Sequence, residues 1–192
     1  MFRVLLLALV SFTAVAQTGS DAPRYAADGK LILPENYREW IYLSSGLGMT
    51  YGPAASADTA HPLFDNVFVS PAAYRAFVGS GHWPDKTIFI LEIRRSSEQG
   101  SINNGGHFQA NVAAIEAEVK DESRFPQKWA YFGFGKATTG SPFPANSNCN
   151  ACHGANGAVE NTFVQFYPTL IDVARRMGTL KAGQSKAVDA HR

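Results

Sequence analysis

The sequence predicts an α+β protein, mainly an antiparallel β-sheet with a few short helices. Runs rich in β-branched and aromatic residues fill the middle of the 192-residue chain, and turns such as NNGG separate them. Helical spacing of apolar residues is limited to short segments on either side. The length and an apolar content of 45% suit one domain with a substantial core.

The N-terminus has the pattern of a secretory signal peptide. An apolar run over residues 4–15 follows a short basic start, and Ala-Val-Ala at 14–16 supplies small residues for cleavage. The run is shorter than the ~20 residues of a membrane span. We therefore expect residues 1–16 to direct export to the periplasm, with retention as a membrane anchor as the alternative. A flexible polar leader is expected over 17–30.

The segment after the leader is predicted to begin with a helix. Residues 34–43 (PENYREWIYL) space their aromatic and aliphatic side chains as a helix does, and residues 44–62 read as a long loop. Ser70 and Pro71 are typical of the first positions of a second helix, which we expect to extend to Phe77.

The strand candidates share β-branched or aromatic residues, or apolar and polar side chains in alternation. They cover residues 66–69, 86–95, 113–121 and 128–134. In the third, Ile115, Ala117 and Val119 alternate with Glu116, Glu118 and Lys120.

A C-terminal helix is expected between Pro168 and Gly178. Its predicted apolar face consists of Leu170, Val173, Ala174 and Met177. We assign residues 31–178 to one domain and 179–192 to a tail. The net charge is +1, and the sequence contains no cluster of basic residues that could form a basic stripe. Both observations argue against a nucleic-acid-binding protein.

The chain has two cysteines, Cys149 and Cys152, and His153 follows directly. A covalent haem needs two thiols one helical turn apart and an adjacent imidazole for the iron, and CxxCH supplies all three. A zinc site would have to recruit distant histidines, and a thioredoxin-type dithiol would need a βαβ unit. Haem attachment is the favoured interpretation, with a disulfide or redox pair and zinc as alternatives. The motif is expected on a C-terminal helix or loop.

The position of the motif bears on the second axial ligand of the iron. Few residues follow His153, Met177 lies on a predicted core face, and Met49 lies in the predicted loop. We therefore expect a five-coordinate iron with one side open to a small molecule.

Several segments resemble the cytochrome P460 family, which includes the β-sheet cytochromes c′ (the c′-β group). They are LILPENYREW, HPLFDNVFVSPAAYRAF, WPDKTIFILEIR, AEVKD, RFPQKWAYFGF and CNACHGANGAVENTFVQFYPTL. The resemblance covers about residues 31–173. It implies a homodimer with one haem c per subunit, bound by Cys149 and Cys152, with His153 on the iron.

The resemblance also separates two subgroups. P460 members carry a strand lysine that cross-links to the haem, and in this chain that position is Leu91. Lys86, five residues earlier, is expected on the other strand face. The missing lysine makes the chain closer to the c′-β group, with a mostly apolar strand face toward the haem formed by Thr87, Phe89, Leu91 and Ile93.

The remaining distal residues are inferred from the same resemblance. Glu160 stands where P460 members place a distal glutamate, so it is the candidate base, with an exposed loop acid as the alternative. Phe64, Phe68 and Phe89 are candidates for an aromatic cap over the iron, although such residues are also typical of a core. Arg94 and Arg95 are candidates for the haem propionates or are solvated charges.

The predicted function is that of a periplasmic mono-haem cytochrome that binds small ligands such as NO. Oxidation of hydroxylamine or NO is the first alternative, with Glu160 as base. Simple electron transfer, with a redox partner protein, is the second.

Overall fold

A computed structural model of the protein describes residues 21–51, 58, 60–144 and 146–184. The expected signal peptide and the end of the tail lie outside these residues. The strands are β1 Leu31–Ile32, β2 Ile41–Leu47, β3 Phe64–Val69, β4 Ile88–Ser97, β5 Phe108–Lys120, β6 Trp129–Gly133 and β7 Thr139–Pro142. The helices are α1 Pro71–Ser80, α2 Asn148–Asn156 and α3 Ile171–Met177, with 3-10 turns at Tyr37–Glu39 and Val164–Phe166.

The seven strands form one sheet in the order β1-β7-β6-β5-β4-β3-β2, and every neighbouring pair is antiparallel. The two longest strands, β4 and β5, lie next to each other at the centre of the sheet. The predicted α+β class is confirmed.

Both faces of the sheet are covered, and the alternation of side chains along β4 shows why. Ile88 and Ile90 belong to one buried cluster, which the segment before β2 covers with Leu31, Tyr37 and Trp40. Phe89 belongs to a second cluster on the opposite face, beneath α1, α3 and the segment between α2 and α3. Because successive strand residues point to opposite faces, one strand serves two cores.

Two expectations for the N-terminal part are corrected. The helix predicted over 34–43 is only the 3-10 turn at Tyr37–Glu39, and the chain continues from Ile41 as β2. From Ile41 onward, pairing with β3 satisfies the backbone and overrides the helical pattern. The described part of the leader also packs on the sheet, since Tyr25 bridges to Leu31 and contacts the ring of Phe132.

The C-terminal part positions the cysteine motif. Cys149, Cys152 and His153 all lie on α2, which packs against β6. α3 forms as expected and ends at Gly178 in the left-handed conformation (φ 69°), although Met177 is 46% exposed and lies outside the core. Within the described ranges, no helix is long and apolar enough to cross a membrane.

Candidate cofactor site

A cavity of about 330 Å³ lies between α2 and the sheet face that carries Phe89. Cys149, Cys152 and His153 all line it. Their spacing of three and four residues places them on one side of a helix, so α2 presents both thiols and the imidazole to the same space. Both cysteines are free and partly buried. The arrangement is the one that attachment of a haem through two thioethers requires.

The imidazole of His153 is held in one orientation. Its Nδ1 lies 2.8 Å from the carbonyl oxygen of Asn161. Because a carbonyl only accepts, Nδ1 carries the proton and Nε2 keeps its lone pair for a metal. The rings of Tyr131 and Phe163 pack against the imidazole with centroids 4.5 Å and 4.4 Å away. The imidazole is therefore held in one orientation, with Nε2 available to bind a metal.

A buried carboxylate stands behind this histidine. Glu118 on β5 places Oε1 3.4 Å from Nδ1 of His153, and its side chain is 9% exposed. The hydroxyl of Tyr131 donates to the same oxygen at 3.1 Å. Burial raises the pKa of Glu118 above its ordinary value, against the lowering effect of His153. Burial lowers the pKa of His153, but the hydrogen bond and charge of Glu118 outweigh it and raise the pKa overall.

The sheet wall of the cavity is apolar at its centre. Val67, Phe89 and Leu91 line it from neighbouring strands, and Val67 is the cross-strand partner of Leu91. Of the four residues predicted to face the haem, only Phe89 and Leu91 line the cavity, while Thr87 donates its hydroxyl to the carbonyl of Pro84. A neutral ligand is favoured at this wall because an unpaired polar group costs free energy there.

Two further carboxylates line the cavity from the sheet. Desolvation, and then the charge of Glu116, raises the pKa of Asp65 to about 6. Desolvation likewise raises the pKa of Glu116, and the charge of His153 opposes it. Tyr51 lies on the same cavity, where desolvation raises its pKa to about 12. The cavity thus combines an apolar centre with protonatable groups.

Met49 also lines the cavity, from the loop that follows β2. Its thioether packs over Gly46, where any side chain would collide with it. The structure therefore brings to the cavity a methionine that the sequence placed in a loop.

The expectation for Phe64 and Phe68 is corrected by the alternation of β3. Asp65 and Val67 line the cavity, so the residues on either side of them point to the other face. Phe68 packs there against the ring of Tyr37, with centroids 5.8 Å apart. The aromatic residues that line the cavity from the described strands are Phe89 on β4 and Tyr131 on β6.

Glu160 does not line the cavity either. Its Oε2 lies 2.8 Å from Nζ of Lys120, and its Oε1 accepts a hydrogen bond of 3.3 Å from the backbone N–H of Trp83. The residue adopts a left-handed conformation (φ 51°) in the turn that precedes Asn161. This ion pair fixes the turn whose next carbonyl orients His153.

The other charged candidates, Lys86, Arg94 and Arg95, also do not line the cavity. Lys86 precedes β4, and its Nζ binds the carboxylate of Asp121. Arg94 binds Glu92 and donates to the carbonyl of Ala110 at 2.9 Å. Glu92 also accepts from Tyr37 in the cluster on the opposite face, so Arg94 is directed away from the cavity. Arg95 is exposed.

The sequence interpretation missed Glu116 and Glu118 as site residues. Their signal was present in the alternation of β5, where both occupy the polar register opposite Ile115 and Ala117. From the alternation of this strand alone, the polar residues are predicted to face solvent. In the fold it faces the cavity, because α2 covers the sheet at this point.

The residues present fit a haem, since two free thiols and an oriented imidazole line one cavity with an apolar wall. A comparison with curated proteins finds no match. The family model for cytochrome P460 matches residues 34–164, which includes β2 to β7, α2 and the CxxCH motif. The chain therefore belongs to the cytochrome P460 family of haem cytochromes.

Proposed function

We propose that this protein is an exported, periplasmic cytochrome that carries one haem c and binds a small neutral ligand such as NO. Cys149 and Cys152 would form the two thioether bonds, and Nε2 of His153 would bind the iron. The observation that carries the proposal is that these three side chains line one cavity, with the proton of His153 fixed on Nδ1. When bound, the haem supplies an iron centre that takes a diatomic ligand or exchanges an electron.

The cavity wall supports a preference for neutral guests. Val67, Phe89 and Leu91 offer no hydrogen-bonding side chain, and an unpaired polar group at such a wall costs ~1–3 kcal/mol. By the family resemblance, Leu91 stands at the position of the cross-linking lysine, and among the described lining residues there is no lysine. We therefore infer an unmodified haem c, in a subunit that forms a homodimer as the family resemblance implies.

A second candidate function, oxidation of hydroxylamine or NO, is favoured by the carboxylates of the cavity. A proton acceptor is needed for that chemistry, and Asp65 and Glu116 line the cavity whereas Glu160 is paired with Lys120. Partial burial gives Asp65 a pKa of about 6, within the range of a general base near neutral pH. In this alternative, the base is one of these two residues.

The third function, simple electron transfer to a partner protein, would use Met49 as a second axial ligand, because it lines the cavity together with His153. Optical spectra of the purified protein separate the three functions. The proposal predicts an ordinary high-spin c-type spectrum that changes when CO or NO is added. Low-spin six-coordinate bands that Met49→Leu abolishes would support the electron carrier, and a red-shifted ferrous band would support the cross-linked enzyme.

A further inference from the structure

Glu118 is a buried carboxylate whose nearest polar neighbours carry no permanent positive charge. Its side chain is 9% exposed, and its partners are the hydroxyl of Tyr131 at 3.1 Å and Nδ1 of His153 at 3.4 Å. Burial of a carboxylate in such surroundings costs free energy. Gln would fill the same space without that cost, which indicates that the carboxylate serves His153.

Glu118 can influence Nε2 of His153 through the imidazole ring, because its carboxylate lies beside Nδ1 of that ring. The N–H of Nδ1 is directed to the carbonyl of Asn161 at 2.8 Å and lies within reach of Glu118 Oε1 at 3.4 Å. The rings of Tyr131 and Phe163 hold the plane of the imidazole. The N–H of Nδ1 therefore donates to a neutral carbonyl and has the carboxylate of Glu118 as a second, longer polar contact.

We propose that Glu118 is a positioning residue that makes His153 an electron-rich axial ligand, and that Tyr131 moderates this effect. The inference rests on the proposed function, since it requires iron on Nε2 of His153. A carboxylate close to the N–H on the far nitrogen of a ligating imidazole stabilises that N–H and raises the basicity of the ligating nitrogen. The bond from His153 to the iron is then stronger, and the ferric state is favoured over the ferrous state.

Tyr131 acts in the opposite direction. Its hydroxyl donates to the Glu118 oxygen that faces His153, so it withdraws part of the negative charge from that oxygen. Removal of the hydroxyl should leave Glu118 a stronger acceptor toward His153. The pair of residues thus predicts two substitutions with effects of opposite sign.

The chain offers a matched control for the loss of charge. Glu116 lies two residues earlier on the same face of β5 and lines the same cavity. Among the described residues, Glu116 makes no hydrogen bond or ion pair with His153, whose Nδ1 faces Asn161 and Glu118. Glu116→Gln therefore removes one negative charge from the cavity without changing the acceptors of Nδ1.

The test uses the haem-loaded wild type and the variants Glu118→Gln, Tyr131→Phe and Glu116→Gln. Resonance Raman spectra of the ferrous proteins give the iron–histidine stretching frequency, and redox titration gives the reduction potential. We expect Glu118→Gln to shift the stretch to lower frequency and the potential upward. Tyr131→Phe should shift the stretch to higher frequency and the potential downward. Glu116→Gln should raise the potential but leave the stretch at the wild-type value.

A wild-type stretching frequency in both Glu118→Gln and Tyr131→Phe would overturn the inference and leave the proposed function intact. If Glu118→Gln does not fold, the Tyr131→Phe result decides, since it keeps the aromatic ring and every charge. A wild type without covalent haem would overturn the proposed function, and the inference with it.

Discussion

At the scale of single residues, the carboxylates near the cavity differ by their surroundings. Asp65 is partly desolvated and lies near Glu116, so its pKa is raised to about 6. Its folded form therefore holds a proton to a higher pH than the unfolded chain does. By linkage, ionisation of Asp65 lowers the free energy of unfolding as the pH rises from about 4 to about 6.

Asp65→Asn should remove this effect. Between pH 4 and pH 7, the free energy of unfolding of Asp65→Asn should rise relative to wild type by about 1 kcal/mol, because solvent screens the partly exposed carboxylate. Above pH 7 the difference should stay constant. Urea unfolding at several pH values measures it. Asp28→Asn is the control, because the hydrogen bond to Lys30 lowers the pKa of Asp28 and no gain is expected. A pH-independent gain at Asp65 would contradict this account.

Glu160 is predicted to act on stability. Its partner Lys120 has a side chain only 9% exposed, so removal of the Glu160 charge leaves a buried cation with the carbonyl of Trp83 as its main partner. Glu160→Gln should lower the free energy of unfolding by about 1–2 kcal/mol. Glu122→Gln, at 3.5 Å from the same Nζ and 40% exposed, should cost less than about 0.5 kcal/mol.

The same variant tests the alternative role of Glu160 as a base. Stopped-flow measurement of CO binding and an assay with hydroxylamine should give wild-type values for Glu160→Gln. Unchanged stability together with a loss of hydroxylamine turnover would contradict the structural role and return Glu160 to the reacting site.

At the scale of elements, Gly157 allows the chain to turn sharply after α2. A Cβ there would lie 2.7 Å from the carbonyl oxygen of His153 and 2.8 Å from backbone atoms of Asn161 and Thr162. Backbone atoms at such a distance cannot move aside cheaply. Gly157→Ala should lower the free energy of unfolding by about 1–3 kcal/mol.

Gly154, which lies within α2 three residues before Gly157, supplies the matched control. A Cβ at Gly154 meets no atom within 4 Å, so Gly154→Ala should be neutral or raise the free energy of unfolding by up to about 1 kcal/mol. Thermal or urea unfolding measures both variants. Equal effects at the two positions would contradict the close packing of the 157–162 turn.

The elements also show which parts of the fold the sequence could predict. β4 was predictable because its β-branched run is long, and α3 because Pro168 and Gly178 flank it. The 34–43 segment was mispredicted, since its pairing with β3 is a contact between distant residues that local spacing does not encode. The same holds for Glu118, whose burial depends on α2 lying over β5.

At the scale of the whole molecule, the two faces of the sheet have different roles. One face packs against the N-terminal segment, while the other holds the cavity under α2. Cys149, Cys152 and His153 were predictable together because five consecutive residues encode them. Asn161, Tyr131 and Glu118 were not, because they reach His153 from separate elements.

The central claim is that α2 holds a haem by two thioethers and that the sheet face opposite adds no further covalent bond. Mass spectrometry of proteolytic haem peptides from the purified protein, with Cys149→Ala/Cys152→Ala as control, tests it most directly. The account predicts one haem on the fragment that contains both cysteines, and none on the double variant. A wild-type fragment free of haem, a double variant that keeps covalent haem, or a haem also bonded to a fragment containing Lys86 or another lysine would contradict it.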